Sequence, residues 1–195
     1  MYMKSKTIHI ELPLWLQQLA TDELKNYITR EERMAFVIGL SRRNIENGTG
    51  GPFAAAVFNK NSGELIAAGV NMVTTVGLSV AHAEIVAIMQ AQAVLGGFDL
   101  GGAGMPECEL VTSTAPCAMC LGAAPWSGVR AVVCGARDED ARAVGFDEGS
   151  KRADWAQELE VRGIEVVQDV LREEAAAVLR GYADRGGIVY NGSSG

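Results

Sequence analysis

The pattern of apolar and polar positions changes several times along the chain between a helical period and a strand period. Over residues 29–47 apolar side chains recur every three or four positions, and Thr29 with Glu32 forms a capping box, which together predict a helix. Residues 82–95 have the same helical period and are followed by a glycine pair, so they predict a second long helix. Shorter helices are predicted over residues 13–20, 118–126, 138–144, 154–162 and 171–182.

Short apolar runs bounded by turn residues predict strands between these helices. They cover residues 54–59, 64–70, 109–113, 130–135 and 164–167. The first two runs are joined by Asn61-Ser62-Gly63, which is typical of a hairpin, whereas the later runs alternate with helices. The pattern therefore predicts an α/β fold with β-α-β-α-β connectivity, in which ligands bind at the carboxyl ends of the strands.

The composition agrees with one globular domain, because 195 residues of which 48% are hydrophobic can bury a sizeable core. We expect this domain to span residues 29–185. Residues 1–28 are expected to be an N-terminal extension and residues 186–195 a C-terminal tail. The short apolar helix of the extension is expected to pack on the domain's own surface, with cover for a pocket or a subunit contact as the alternatives.

Charge and composition disfavour several classes of partner. The net charge is −7, and nucleic-acid backbones require clusters of Lys and Arg, so no nucleic-acid partner is expected. No apolar stretch reaches the roughly 18 residues of a membrane span, and the first residues lack the apolar core of a signal peptide. The four cysteines do not indicate a disulfide framework. We therefore expect a cytoplasmic protein without membrane contact.

One interval of the chain carries the candidate chemistry. His82 is followed two residues later by Glu84, and Pro116 precedes Cys117 and Cys120. Imidazole and two thiolates are zinc ligands, and a catalytic zinc keeps its fourth position for water. A carboxylate beside that water can take its proton and hand it to a leaving amine. His-x-Glu followed by Pro-Cys-x-x-Cys is the signature of zinc-dependent nucleobase deaminases, so the sequence predicts one zinc ion per subunit.

Two other interpretations of this interval have to be weighed. The first is a closed structural zinc site with Cys108, Cys134 or His9 as the fourth ligand, but such a site has no use for Glu84. The second is a redox pair at Cys-x-x-Cys, which leaves both His82 and Glu84 unexplained. Cys108 and Cys134 are instead expected to be buried apolar residues.

At this point the sequence resembles the cytidine-deaminase-like superfamily, and within it the small bacterial guanine deaminases. The resemblance covers about residues 30–150. It is carried by Gly50-Gly-Pro-Phe-Ala-Ala-Ala-Val-Phe58, Asn71 with Thr74-Thr75, Ala81-His-Ala-Glu-Ile85, Pro116-Cys-Ala-Met-Cys-Leu-Gly-Ala123, Trp126 and Gly145-Phe-Asp-Glu148. It implies a three-layer α-β-α fold, whose mixed central sheet of about five strands is flanked by helices. Residues 1–28 resemble a longer variant of the family, whose members can also act on ammeline, a guanine-like triazine.

The resemblance also implies a mechanism. His82, Cys117 and Cys120 would hold zinc, and Glu84 would deprotonate the water that attacks C2 of guanine, giving xanthine and ammonia. Glu148 would accept from the adjacent N1–H and 2-amino donors of guanine and relay a proton to the leaving amine. The remaining residues that it implies contact the base are Phe53, Asn71, Ala83, Trp126 and Phe146, with Tyr190 stacking on the base, from its own chain or a partner subunit.

Several functions remain open on the sequence alone. The zinc motif does not name the base, so cytosine, cytidine or adenine are alternative substrates. A tRNA adenosine deaminase is disfavoured by the acidic balance of the chain. A zinc-binding protein that has lost turnover is disfavoured by the presence of Glu84. A small-molecule base as the ligand and a homodimer as the assembly are the expectations.

Overall fold

The structure is a computed structural model, and it describes residues 7–22 and 26–192. Its helices are α1 (Leu14–Asp22), α2 (Arg30–Glu46), α3 (Val73–Val76), α4 (Ala83–Leu95), α5 (Ala118–Ser127), α6 (Asp138–Ala143), α7 (Trp155–Val161) and α8 (Arg172–Asp184). Its strands are β1 (Ala54–Asn59), β2 (Leu65–Val70), β3 (Cys108–Thr114), β4 (Ala131–Ala136) and β5 (Glu165–Val167).

The five strands form one mixed sheet in the order β2-β1-β3-β4-β5. β1 is antiparallel to β2 and β3, whereas β3, β4 and β5 are parallel to one another. Helices α2 and α8 cover one face of the sheet, and α4, α5 and α7 contribute to the core on the other face. The predicted three-layer α-β-α fold with a mixed sheet of about five strands is thereby confirmed.

The two faces of the sheet bury different residues because side chains alternate along a strand. Leu110 of β3 and Val132 of β4 belong to the core under α4 and α5, while their neighbours Val111 and Val133 belong to the core under α2 and α8. Every residue of β3 and β4 is buried. The central strands are therefore fixed from both sides, which makes their carboxyl ends a rigid base for the site.

Helix α4 lies unusually close to β2. A Cβ atom on Gly69 would lie 2.5 Å from the Ala83 carbonyl oxygen and 2.5 Å from the Ala87 amide nitrogen. Only glycine leaves room for this contact with a rigid helix backbone. Gly69 therefore sets how deeply the first turn of α4 is seated on the sheet.

A buried ion pair connects α2 to the central strand. The Arg33 guanidinium pairs with the Glu109 carboxylate on β3, and both side chains are buried. Arg33 also donates to the carbonyl oxygen of Tyr27 at 2.7 Å. The chain that precedes α2 is thus tied to the sheet by a charged group as well as by apolar packing.

The N-terminal extension contains a helix that packs on the domain. In α1, Leu16 is buried in the core and Trp15 is partly buried, whereas Leu14 is exposed. Residues 1–6 and 23–25 lie outside the described residues, as do residues 193–195 of the tail. Among the helices that are described, none is long and apolar enough to cross a bilayer.

Candidate active site

Two helix N-termini meet beside the carboxyl end of β3. His82 is the N-cap of α4 and Cys117 is the N-cap of α5, and both have the extended backbone of that position. Cys120 lies one turn further into α5. The positive ends of the two helices favour anionic ligands at this place.

The three side chains form a group that fits a zinc ion. The Nδ1 atom of His82 lies 3.5 Å from the Cys117 Sγ atom and 3.7 Å from the Cys120 Sγ atom. Tetrahedral zinc with ordinary Zn–N and Zn–S bonds requires N···S separations of about 3.5 Å. Among the residues whose side chains the structure describes, 7–19 and 26–192, no further His, Cys, Asp or Glu joins this group. His9, Cys108 and Cys134 are not part of this group, which disfavours the closed four-ligand interpretation.

The two thiols differ in acidity because one donates to the other. The hydrogen bond from Cys120, opposed by burial and supported by the bond with His82, lowers the pKa of Cys117 to about 4. The same hydrogen bond, together with burial, raises the pKa of Cys120. The metal-free pair therefore holds one proton, which a metal that binds both sulfurs must displace.

Glu84 lies in the first turn of α4 and lines the pocket beside His82. Its side chain is buried, and burial followed by the charge of Cys117 raises the pKa of its carboxyl group above the ordinary value. A buried carboxylate with a raised pKa takes up and releases a proton more readily near neutral pH. Glu84 has the placement and the acidity of a general base.

A single pocket surrounds these groups. It is lined by Gly51, Phe53, Asn71, Val73, Thr74, His82, Glu84, Thr114, Ala115, Cys117, Phe146, Asp147, Glu148, Ile188 and Tyr190. Phe53 and Phe146 meet edge to face, with ring centroids 4.8 Å apart and an interplanar angle of 77°. The two rings together form an aromatic wall, and such a wall suits a flat ring as the ligand.

Asn71 follows β2 directly and presents an amide to the pocket. Its Oδ1 atom accepts a hydrogen bond from the Val73 amide at 3.3 Å, which orients the side chain. Its backbone N–H donates to the Phe53 carbonyl oxygen at 2.9 Å. The two segments that carry Phe53 and Asn71 are thereby held side by side.

Glu148 is a buried carboxyl group that also lines the pocket, and 6% of the residue is exposed. Its carbonyl oxygen accepts a hydrogen bond from the Ala118 amide at 2.9 Å, so its loop rests on the first turn of α5. Burial, followed by the charges of Cys117 and Glu84, raises the pKa of Glu148 to about 8. Glu148 and Glu84 therefore line the same pocket, where the charge of Glu84 disfavours ionisation of Glu148.

A buried ammonium group holds this loop against the segment that precedes Cys117. The Lys151 Nζ atom donates to the Pro116 carbonyl oxygen at 2.6 Å and to Asp138 Oδ1 at 2.6 Å. It lies 4.7 Å from the centroid of the Trp155 ring, over its face. Because Pro116 precedes Cys117, Lys151 ties the loop of Glu148 to the start of α5.

Residues 28–136 match the family model described as the cytidine and deoxycytidylate deaminase zinc-binding region. This stretch covers more than half of the chain and contains His82, Glu84, Cys117 and Cys120. The chain belongs to this deaminase family.

Comparison with individual relatives shows which members of the family the chain is similar to. The guanine deaminase of Bacillus subtilis is 38% identical over 136 residues, which are 70% of this chain and 83% of the relative. The structure of NE0047 in complex with 2,6-diaminopurine has a TM-score of 0.88 at 51% identity and covers 94% of this chain and 96% of that one. A guanine deaminase from Nitrosomonas europaea has a TM-score of 0.88 at 49% identity, covering 94% and 100%. The resemblance to guanine deaminases is confirmed.

The tail of this deaminase reaches its own pocket. Ile188 and Tyr190 are among the lining residues, and the Tyr182 hydroxyl donates to the Ile188 carbonyl oxygen at 2.8 Å. Asn191 accepts from the Asp147 amide at 2.8 Å and donates to the Gly145 carbonyl oxygen at 2.9 Å. The tail is therefore fastened to the loop that carries Phe146 and Glu148.

Two of the predicted base contacts are placed differently by the structure. Trp126 lies on the outer surface of α5, is 88% exposed, and does not line the pocket of its own chain. The prediction that Trp126 walls this pocket therefore needs correction. Ala83 is buried against the sheet under α4, so its side chain is part of the core instead of the pocket lining.

Other lining residues were not anticipated from the sequence. Val73 and Thr74 belong to the short helix α3, which the hydrophobic pattern did not predict. Thr114 ends β3 and Ala115 follows it, immediately before the Pro-Cys-x-x-Cys motif, and this adjacency is the one sequence signal for them. Asp147 and Ile188 enter through the loop and the tail that flank the pocket.

The raised pKa of Glu148 predicts a pH-dependent stability in the metal-free deaminase. Between the ordinary value of 4.5 and about 8 the folded state keeps the proton that the unfolded state has released. The stabilisation is complete below about 4.5 and is lost as pH rises through about 8. We expect the free energy of unfolding of wild type to fall by roughly 3 kcal/mol more than that of Glu148→Gln between acid and mildly alkaline pH.

Urea unfolding with a chelator and a reductant, at about pH 5 and pH 8.5, measures this difference. The glutamine side chain stays neutral, so the variant supplies the reference slope. Parallel pH profiles for the two proteins would contradict the buried, protonated carboxyl group.

Proposed function

We propose that this deaminase hydrolyses guanine to xanthine and ammonia. The observation that carries the proposal is the buried Glu148 carboxyl group, which faces the same pocket as Glu84 and the His-Cys-Cys group. Guanine presents two adjacent donors, N1–H and the 2-amino group, and a carboxylate can accept from both. Because both bonds go to the charged form, binding of guanine favours ionisation of Glu148, which burial alone disfavours. The guanine deaminase relatives support the same base, and NE0047 structures contain the purines 2,6-diaminopurine and 8-azaguanine.

The remaining walls suit the rest of the ring. Phe53 and Phe146 together form one aromatic wall on which a flat heterocycle packs, and the Asn71 amide bonds an acceptor on the base edge. Tyr190 covers the opening of the pocket and stacks on the base from the tail. Ammeline, a triazine that resembles guanine, is proposed as a second substrate of the same pocket.

We propose zinc as the metal, one ion per subunit, held by His82, Cys117 and Cys120. Their donor set and separations fit it, and the family is described by its zinc-binding region. When bound there, zinc would act as a Lewis acid that makes water more acidic.

The acid–base steps belong to the two glutamates. Glu84 takes a proton from the attacking water and delivers it to a ring nitrogen and then to the departing amine. Glu148 holds the amidine edge of guanine and relays a proton to the same amine. Water adds at C2, the C2–N bond breaks, and ammonia leaves, so that guanine and water are converted to xanthine and ammonia.

The test is ammonia release from guanine, ammeline, cytosine, adenine and cytidine by zinc-loaded protein. Turnover of guanine above the other bases would support the proposal. Turnover of another base alone would keep the zinc chemistry and discard the proposed role of Glu148. Zinc content without ammonia release from any of them would favour a binding protein.

Removal of the tail is expected to weaken base binding. Deletion of residues 186–195 removes Ile188 and Tyr190 from the pocket lining and opens it to water. We expect the Michaelis constant for guanine to rise about tenfold, because an aromatic stacking contact of about 1–3 kcal/mol is lost. Steady-state kinetics measures it, and Tyr190→Phe, which keeps the ring, is the control. An unchanged Michaelis constant in the deletion would remove Tyr190 from the site.

We further propose a homodimer that works in the cytoplasm in purine catabolism. Large apolar side chains remain exposed on and near α5 in the single chain, notably Trp126 and Met119, and a subunit contact would cover them. The four cysteines are free thiols, which suits a reducing compartment. Light scattering of the purified protein measures the assembly.

A further inference from the structure

A chain of hydrogen bonds runs from the N-terminal helix to the base-binding side of the pocket. At its centre is Asn44, in the last turn of α2, whose side chain is fully buried. Its Nδ2 group donates to the Gly51 carbonyl oxygen at 2.8 Å and to the Asn71 carbonyl oxygen at 2.9 Å. Both acceptors belong to residues that line the pocket.

The other end of the Asn44 amide is also engaged. Its Oδ1 atom accepts from the Thr49 hydroxyl at 2.7 Å, and the Thr49 oxygen accepts from the Trp15 indole N–H at 3.1 Å. Trp15 lies in α1 of the N-terminal extension, where the Arg43 guanidinium lies 5.0 Å from the centroid of its ring. Both amide hydrogens and the amide oxygen of Asn44 therefore form hydrogen bonds. The extension takes part indirectly, because Trp15 donates to Thr49 and Thr49 donates to Asn44.

The backbone at Gly50 packs directly against the carbonyl group of Asn71. A Cβ atom on Gly50 would lie 1.8 Å from the Asn71 carbonyl oxygen, so residue 50 approaches Asn71 with bare backbone. The Asn71 N–H is held by Phe53, and its carbonyl oxygen is held by Asn44. Asn44 therefore holds the carbonyl oxygen of Asn71 in place, as Phe53 holds its N–H.

We propose that Asn44 is a positioning residue for base binding, and that the N-terminal helix completes its hydrogen bonding through Trp15 and Thr49. The inference rests on the proposed role of Asn71 as a contact to the base edge. Helix α1 would thus stabilise the pocket through these hydrogen bonds, although none of its residues whose side chains are described lines the pocket. The metal ligands are held separately by α4 and α5, so loss of Asn44 acts on base affinity more than on the chemical step.

The first test is Asn44→Leu, which keeps the size of the side chain and removes its donors. Two buried carbonyl oxygens lose their partner, and we expect the Michaelis constant to rise about tenfold or more while kcat changes less than about twofold. Asn47→Leu is the matched control, since Asn47 is exposed at the end of the same helix and donates to the Arg43 carbonyl oxygen. It should leave both constants unchanged.

Two milder variants keep the inference testable if Asn44→Leu does not fold. Thr49→Val removes the hydroxyl that links Trp15 to Asn44, and Trp15→Phe removes the indole donor but keeps an apolar ring. Each should raise the Michaelis constant about threefold with unchanged zinc content. The indole N–H resonance of Trp15 should move in Thr49→Val, which reports on the chain of bonds without any turnover.

The decisive comparison repeats these changes in Asn71→Ala. If Asn44 acts through Asn71, Asn44→Leu and Thr49→Val should have no further effect on the Michaelis constant in that background. Full additivity, or parallel losses of kcat and zinc, would assign Asn44 a purely structural role. The comparison uses whichever base the wild type turns over, so failure of guanine deamination and failure of this inference are separate results.

Discussion

Glu84→Gln is expected to lower guanine turnover by roughly 10³- to 10⁴-fold. The amide cannot take a proton from the attacking water, although it has nearly the same shape as the carboxylate. The proposed metal ligands are His82, Cys117 and Cys120, so the zinc content should equal that of the wild type. Ammonia release, measured beside zinc content by atomic absorption, separates loss of the general base from loss of the metal.

The matched control for this change is Glu160→Gln, at an exposed position on α7. It removes one carboxylate charge from the surface and should turn over guanine like the wild type. If Glu84→Gln kept more than about a tenth of wild-type turnover, the proton path through Glu84 would be wrong. If zinc were lost as well, the variant would report on metal binding instead.

Glu148→Gln is expected to lower kcat/KM for guanine by roughly 10²-fold or more, with zinc still bound. The carboxylate accepts from two donors of guanine, whereas the amide offers one acceptor and turns an N–H₂ group toward the other donor. A buried donor that faces a donor loses its bond and is repelled as well. Glu158→Gln on the surface is the control for the charge change.

Binding and chemistry can be separated in this variant. The affinity for 8-azaguanine, measured with metal-free protein so that no turnover occurs, should fall in Glu148→Gln if the carboxylate holds the base. Wild-type rates and affinity would remove Glu148 from the site. Loss of kcat with unchanged affinity would leave it only the relay of a proton to the leaving amine.

The fold was predictable wherever a segment had one dominant period. The capping box of Thr29 and Glu32 and the apolar period after it gave α2 to within a residue, and the run 54–59 gave β1. The pattern could not give the buried pair of Arg33 and Glu109, because charged residues in amphipathic segments are usually solvated. Nor could it give α3, which has four residues and lies beside the pocket.

The metal group was predictable because its residues are close in sequence within two motifs. His82 with Glu84, and Cys117 with Cys120, each occupy a single helix turn, so local spacing fixes their relative placement. Trp126 follows Cys120 by six residues, which rotates it about 120° around the helix and away from the metal. Proximity in sequence to the zinc motif therefore does not place the Trp126 side chain in the pocket of its own chain.

Asn44 was beyond sequence reasoning for a different physical reason. It was part of a segment correctly predicted as helical, yet its amide is satisfied by carbonyl groups at positions 51 and 71 and by a hydroxyl at position 49. Such a bond pattern depends on three segments that meet only in the fold. A lone buried asparagine gives no spacing from which those partners can be read.

The close seating of α4 on Gly69 bears on how members of this family are assigned a function from their sequences. A methyl group at that position would meet rigid helix backbone and push back the turn that carries His82 and Glu84. A homologue could then retain every letter of the zinc motif and still have its imidazole and carboxylate displaced from the two sulfurs. An intact motif is evidence of activity only when the small residue that lets the helix reach the sheet is also present.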